Sequence, residues 1–244
     1  MSELISLNTH GIRLFHGRLY NHDYLWFSSN EISRVSTTQP FLHNYALCYT
    51  LSRRSPRTCV GSVPMYVTNP DGEFGAMPVY ATPGRAERVQ RTAITFNAIN
   101  DLSLTTGDTK TLNTPNFGKR IYVNLQWEPQ DAVHPQAGYE CYVFTFGGYQ
   151  LPGVFRLGKK GSPVRARWHE VENPVASFRT EAIEPTHAVN PLDVGGRRVT
   201  FDIVFIPPHS IMRTSTIADD WFIMSGAHRV HIPLRVLKRI GVTP

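Results

Sequence analysis

With 244 residues, of which 41% are hydrophobic and 18% are charged, the chain has enough apolar side chain to bury a core without disulfides or a structural metal. No apolar run reaches the ~20 residues of a membrane helix, the segment Met1–Leu4 lacks the features of a secretory signal, and the three cysteines form no CxxC pair, so we expect a soluble, cytoplasmic protein. The 25 Lys and Arg outnumber the 19 Asp and Glu, and the resulting net charge of +6 indicates an anionic partner.

The first quarter of the chain predicts one strand and one helix. Gly11–Tyr20 alternates apolar and polar residues and is expected to form the strand. Apolar residues in Phe41–Tyr49 recur every three or four positions, which predicts an amphipathic helix whose tyrosines pack in the core. Thr37-Thr38-Gln39-Pro40 supplies hydroxyl cap candidates and a first-turn proline, and the helix should end near Arg53.

The segment Arg57–Lys119 is rich in turn signals, such as Asn69-Pro70-Asp71-Gly72 and Thr82-Pro83-Gly84. One short helix is expected within it, at Ala86–Asn97. We therefore predict a single domain, residues 1–244, with a loop-rich insertion at about 57–119.

Three strands are expected in the second half of the chain. Arg120–Trp127 alternates cleanly between apolar and polar residues, and Tyr139–Phe146 and Thr200–Ile206 have strand composition. Strands separated by long loops, one amphipathic helix and no repeated βαβ glycine fingerprint predict an α+β fold with an antiparallel sheet.

Basic residues are concentrated in three windows that contain no acid. The windows Ile32–Pro70, Gly153–His169 and Trp221–Pro244 hold 13 of the 25 Lys and Arg. Charge that serves solubility alone is usually interspersed with acids, so this distribution favours an anion-binding surface.

The most informative basic segment is the glycine-rich loop Gly158-Lys159-Lys160-Gly161, which follows Arg156. Gly158 and Gly161 lack a Cβ, so a phosphate can approach their backbone closely, and Lys159 and Lys160 supply positive charge. The loop lacks the Walker spacing, so nucleotide hydrolysis is not expected. We predict phosphate binding here; the alternative is an ordinary solvated hairpin.

The residues after Pro163 are predicted to form a strand with two different faces. Val164, Ala166 and Trp168 are expected to face the core, which leaves Arg165, Arg167 and His169 in a row on the other face. Arginines two positions apart on a strand are roughly 6.5–7 Å apart, which is close to the spacing of successive phosphates in a single nucleic-acid strand.

Further candidates for RNA contact lie outside this segment. They are Arg53, Arg54, Arg57, Phe117, Lys119 and Arg120. The first three follow the predicted helix, where they either complement its dipole or contact phosphate. The last three are expected at a loop tip, which suits insertion beside bases but equally suits an ordinary hairpin.

Patterns typical of catalysis or metal binding are weak in this sequence. His228 and His231 would point to opposite faces of a strand and lack an HExxH context. Cys48 lies in an apolar helical stretch, where a thiol usually packs, and Asp193 and Asp220 are typical of polar turns. No catalytic residue, metal ligand or cofactor is therefore predicted.

Several motifs resemble one known family. Leu42–Tyr49 followed by Phe155–Lys160, with Tyr80–Pro83, Asn113–Gly118 and Asn190–Asp193, resembles the small Csc-type, Cas5-like subunit of type I-D CRISPR Cascade, a member of the RAMP superfamily. The resemblance implies a ferredoxin-like, RRM-type core with an antiparallel sheet, a glycine-rich loop and an inserted hairpin or thumb.

The resemblance also implies a function. Such subunits bind the 5′ handle of the crRNA without catalysis, contact the large Cascade subunit and the backbone RAMP subunits, and lie near the target DNA. One alternative is a metal-independent crRNA-processing endoribonuclease of the same superfamily, in which His43 or His169 moves the 2′-OH proton. Another is a basic module that binds protein or duplex DNA without a guide.

Overall fold

The computed structural model describes residues 4–32, 35–55, 64–86, 89–98, 116–125, 138–159 and 161–242. These residues form mostly antiparallel sheet with a few short helices, so the predicted α+β class is confirmed. In the described part of the chain, no helix is long and apolar enough to cross a membrane.

The elements follow one another with short connections. In chain order the strands are β1 (Leu4–Ser6), β2 (Ile12–Asn21), β3 (Asn30–Ile32), β4 (Val35–Thr37), β5 (Phe41–Leu42), β6 (Val79–Ala81), β7 (Gly84–Ala86), β8 (Val89–Ala98), β9 (Asn116–Leu125), β10 (Tyr139–Phe146), β11 (Val154–Leu157), β12 (Ser162–Glu170), β13 (Val175–Arg179), β14 (Arg197–Val204), β15 (Ile211–Ala218), β16 (Asp220–Ser225) and β17 (His228–His231). The helices are α1 (Asn44–Leu51), α2 (Met65–Thr68), α3 (Pro70–Gly75) and α4 (Leu234–Arg239), with 3-10 turns at Leu7–His10 and Pro191–Asp193.

The central sheet carries the candidate site. Its strand order is β11-β12-β2-β10-β7-β5, and β6 also pairs with β10. The long strands β2 and β10 were predicted from sequence and are confirmed. Their fully buried side chains include Leu14, Leu19, Val143 and Phe144, so the sheet forms the middle of the hydrophobic core.

Three smaller sheets surround the central one in the described part of the chain. Strands β1, β13, β16 and β17 form an antiparallel sheet, and β14 pairs with β15. The third sheet has the order β3-β4-β9-β8, in which β4 runs parallel to β9. The predicted strand at Arg120–Trp127 is confirmed as part of β9 up to Leu125.

Helix α1 begins later than the sequence pattern predicts. Its N-cap is His43, whose Nδ1 accepts a hydrogen bond from the amide of Tyr45 at 3.2 Å. The predicted start at Thr37–Pro40 is wrong, because Phe41 and Leu42 pair as a strand with Arg85 and Gly84. The predicted end near Arg53 is confirmed, since the helix ends at Leu51 with Ser52 as its C-cap.

The helix predicted at Ala86–Asn97 is also wrong. Residues Val89–Ala98 form a strand that pairs with β9 over ten residues. The segment is rich in β-branched side chains, which favour a strand, and the paired partner outweighs its weak helical periodicity. The predicted insertion at 57–119 contains β6 and β7 as well, and both pair with β10 in the central sheet.

A buried polar cluster joins distant parts of the chain. The carboxylate of Asp193 accepts hydrogen bonds from the Tyr80 hydroxyl at 2.7 Å and from Arg235 Nη1 at 2.7 Å. The Asn44 side-chain amide donates to the same tyrosine oxygen at 3.1 Å, and Asn190 Nδ2 donates to Asn44 Oδ1 at 3.2 Å. These residues belong to α1, β6, the Pro191–Asp193 turn with the residue before it, and α4, so the cluster fixes how these elements meet. Asp193 was predicted to be an ordinary turn residue, and its burial shows that it is a structural one.

We predict that Asp193→Ala destabilises the protein by about 3 kcal/mol or more, because it leaves the guanidinium of Arg235 in a buried position without its carboxylate partner. Urea unfolding followed by circular dichroism measures the change. Asp71→Ala is the matched control, since Asp71 binds the same arginine but is half exposed. The control should lose less than about 1 kcal/mol, and equal losses in the two variants would contradict the assignment.

Candidate RNA-binding surface

The predicted two-faced strand is present as β12. Val164 and Ala166 are buried and Trp168 is half-buried, whereas Arg165 and Arg167 are exposed. The indole N–H of Trp168 donates to the carbonyl of Pro152 at 2.9 Å, which fixes this side chain at the sheet. The exposed arginines therefore project from a rigid strand.

The neighbouring strand β2 widens this face. Tyr20 lies opposite Arg165, and Arg18 lies opposite Arg167. The guanidinium carbon of Arg167 is 5.8 Å from the centroid of the Tyr20 ring. An aromatic ring and three arginines thus share one open sheet face, a combination that suits a single-stranded nucleic acid.

Glu140 limits the basic face on the β10 side. Its carboxylate accepts a hydrogen bond from Arg18 Nε at 2.9 Å and lies 3.7 Å from His16 Nε2. Hydrogen bonding to His16 and Arg18 lowers the pKa of Glu140 to about 2, so the carboxylate is ionised near neutral pH. Phosphates are therefore favoured toward Arg165 and Arg167 and disfavoured toward β10.

The glycine-rich loop is a tight turn between β11 and β12. Gly158 and Gly161 have φ values of +79° and +62°, and the Gly161 amide donates to the Gly158 carbonyl at 3.0 Å. The Lys159 amide donates to the carbonyl of Trp26 at 3.0 Å. Both amides are thus used within the protein, and the exposed Lys159 side chain is the group that remains for a phosphate. Lys160 lies outside the described residues.

Trp26 brings a second cation to this turn. The Arg120 guanidinium carbon is 4.3 Å from the Trp26 ring centroid, and the Lys159 ammonium is 5.1 Å from it. Arg120 belongs to β9 and Lys159 to the turn, so one indole holds together charges from two sheets. Sequence reasoning missed Trp26 because nothing in its polar surroundings predicts this contact.

The other predicted residues are placed in different ways. Arg156 donates from Nη1 to the carbonyl of Gly161 at 2.8 Å and so braces the turn. Its own carbonyl accepts a hydrogen bond from Thr50 at 2.8 Å, which joins β11 to the last turn of α1. Arg53 and Arg54 are exposed just beyond that turn, with Arg53 in the left-handed conformation at φ +55°. Arg57 lies outside the described residues.

The predicted loop tip at Phe117–Arg120 is wrong. Strand β9 begins at Asn116, and its backbone pairs with β8 along the whole of both strands. The side chains of Phe117 and Lys119 lie outside the described part of the structure. Arg120 is half-buried and reaches Trp26, as described above.

An aromatic cavity of about 240 Å³ opens beside Lys159. Its walls include Phe27, Phe41, Tyr45, Tyr49 and Tyr66. The predicted core packing of Tyr45 and Tyr49 is confirmed, since both are buried, and each also contributes to this wall. The volume suits one ring-sized group, such as a nucleobase, rather than a whole nucleotide.

His43 also lines this cavity, and its surroundings make it a poor proton acceptor. The ring is buried as the N-cap of α1, and this burial lowers its pKa to about 3. His169 is exposed on β12 opposite His16. Across the described ranges there is no group of three or more His, Cys, Asp or Glu side chains that could hold a metal ion.

Comparison with known proteins links this surface to a family. The family model for the type I-D CRISPR-associated protein Cas5/Csc1 matches residues 12–239. The match contains the glycine turn, β12 and the residues of the buried polar cluster, and it confirms the resemblance seen in the sequence motifs. A search of curated proteins finds no match.

We predict that Gly158→Ala destabilises the protein more than Gly161→Ala does. Both substitutions place a Cβ at positive φ, which costs roughly 1–2 kcal/mol. At Gly158 the new Cβ would also lie 2.8 Å from the Trp26 carbonyl oxygen, whereas at Gly161 the nearest atom is 3.7 Å away. Thermal unfolding measures the difference, which should be at least about 1 kcal/mol because of this overpacking. A larger loss at Gly161 would contradict the structural explanation of the turn.

Proposed function

Because the chain belongs to the type I-D CRISPR-associated Cas5/Csc1 family, we propose that it is a non-catalytic subunit of the surveillance complex that binds the 5′ handle of the crRNA. Membership of this family supports a role in CRISPR Cascade. Binding of RNA, and of the handle in particular, is the proposal.

The observation that carries the proposal is the row of exposed Arg165 and Arg167 on β12, next to the turn that holds Lys159. Side chains two positions apart on a strand repeat at a distance similar to that of successive phosphates. A single RNA strand that runs along β12 toward the turn would contact both arginines and then Lys159 in order.

The cavity beside Lys159 supplies a place for a base. Aromatic walls favour stacking with any nucleobase, and Lys159 at the rim would hold the adjacent phosphate. Phosphate contacts position a strand and base contacts specify it, so the two parts of the surface have separate tasks.

We also propose that the central sheet corresponds to the ferredoxin-like core of RAMP proteins, with Gly158–Gly161 as its glycine-rich loop. The antiparallel pairing of β2 with β10 and the contact of α1 with β6 and β11 support this assignment. The hairpin of β8 and β9 is the candidate for the inserted thumb. The large subunit, the backbone subunits and nearby target DNA are the proposed partners.

A non-catalytic role is supported by the state of His43, one of the two histidines considered for the endoribonuclease alternative. A base with a pKa near 3 accepts a proton weakly at neutral pH. His43 is instead used as the cap of α1.

We predict that reversing the charge of Lys159, Arg165 and Arg167 to Glu weakens binding of a handle RNA. Each lost phosphate contact should reduce the slope of log K against log salt by about 0.7, because fewer counterions are released from a single strand. Fluorescence anisotropy at several salt concentrations measures both quantities.

Arg179→Glu is the control for this experiment, since Arg179 is similarly exposed on β13 but lies away from the basic face and pairs with Glu181. Unchanged binding in the triple variant would contradict the proposal. Specific RNA cleavage in EDTA, with a cyclic phosphate end, would overturn its non-catalytic part.

We predict that Ala46→Leu, which adds volume to the wall of the cavity without changing charge, weakens RNA binding about fivefold to tenfold and leaves the salt slope unchanged. The reason is that it blocks the base and spares the phosphate contacts. An RNA with an abasic nucleotide at the contact position is the control and should bind both proteins equally. An altered salt slope, or no loss of affinity, would contradict the cavity's role.

A further inference from the structure

Strand β14 exposes a row of large apolar side chains. Val199, Phe201 and Ile203 are 47%, 56% and 55% exposed, and Phe205 just beyond the strand is 62% exposed. They occupy alternate positions, so they share one face of the strand. Single exposed apolar residues are common on proteins, but a contiguous row of four marks an interaction surface.

The row continues a face that is buried on the neighbouring strand. In the β14–β15 hairpin, Phe201 lies opposite Ser215 and Ile203 lies opposite Met212. Ser215 and Met212 are both buried against the body of the protein. The face that forms core on β15 therefore extends past the edge of the core on β14.

The backbone of β14 also has an open edge. In the described part of the chain β14 pairs only with β15, and the opposite edge of β15 is covered by bridges to Ile183 and Val189. Exposed edges are usually blocked by prolines or unpaired charges. The middle of β14 has one charge, Asp202, and its carboxylate is paired with Arg213. This edge is therefore open to an added strand.

Charge indicates the kind of segment that fits. Arg197 and Arg198 lie at the start of β14, and Arg198 donates to the carbonyl of Pro191 rather than to a carboxylate. A second copy of the chain would bring further arginines to this end and no acid. RNA is disfavoured because aliphatic Val199 and Ile203 separate the two phenylalanines and Asp202 lies between them.

We propose that β14 is the docking edge for an extended segment of another protein subunit of the surveillance complex. The segment adds as a third strand, covers Phe201 and Ile203 with its own alternating apolar side chains, and places an acidic residue near Arg198. The inference rests on the proposed function only in that the partner is a subunit of the same complex.

The test compares Phe201→Thr/Ile203→Thr with the control Met224→Thr. Threonine suits a strand, and Met224 is 46% exposed on β16, so the control removes a similar side chain elsewhere. Each protein is expressed with the other type I-D subunits and a guide RNA, and its content in the purified complex is measured by mass spectrometry. We expect the double variant to bind the complex about tenfold more weakly or worse, and the control to bind normally. Hydrogen exchange of β14 should be fast in the isolated protein and slow in the complex.

The possible outcomes are distinct from those for RNA binding. Normal incorporation of the double variant, or slow exchange of β14 in the isolated protein, would overturn this inference and leave the RNA-binding proposal intact. A loss of RNA affinity in the double variant alone would assign the row to RNA, and a dimer of the isolated chain that the substitutions dissociate would assign it to a second copy. Retained RNA affinity with lost incorporation supports the docking edge.

Discussion

The contact between the segment at Trp26 and the glycine turn organises the candidate surface. The Trp26 carbonyl approaches Gly158 so closely that a Cβ there would collide with it, and it accepts the amide hydrogen of Lys159. The same residue presents its ring to Lys159 and to Arg120 from another sheet. Without this contact the turn and β9 would have no common reference point. The glycine at 158 is thus explained by packing within the protein before any ligand is considered.

The motifs that carry the family resemblance have a shared structural meaning. Asn44, Tyr80, Asn190 and Asp193 come from three separate patches of sequence and meet in one hydrogen-bonded cluster. Arg235 of the C-terminal helix completes it. These motifs therefore identify the fold through its buried polar contacts, while the residues proposed to bind RNA lie on the exposed sheet face and at the turn.

The sequence predicted the elements whose pattern is local and failed where a partner strand decides. The alternation in β2, β10 and β12 predicted both the strands and which side of β12 is exposed. The helix start was misplaced because Phe41 and Leu42 pair with β7, and β8 was taken for a helix because its long pairing with β9 is invisible in a local window. Asp193 and Asp220 were assigned to turns, yet both are buried, and Asp220 accepts a hydrogen bond from His231. A short polar motif does not reveal whether distant donors will surround it.

The conformation of Arg53 shows a compromise between stability and recognition. Helix α1 ends with this residue at φ +55°, a position where glycine is usual and any other side chain costs about 1 kcal/mol. The protein accepts that strain and gains a fixed guanidinium at the negative end of the helix, one turn from the strand that leads into the glycine turn. A more stable molecule with glycine here would have one fewer cation beside the proposed path of the guide. Stability engineering of this protein therefore has a site where the obvious improvement and the ability to hold a polyanion oppose each other.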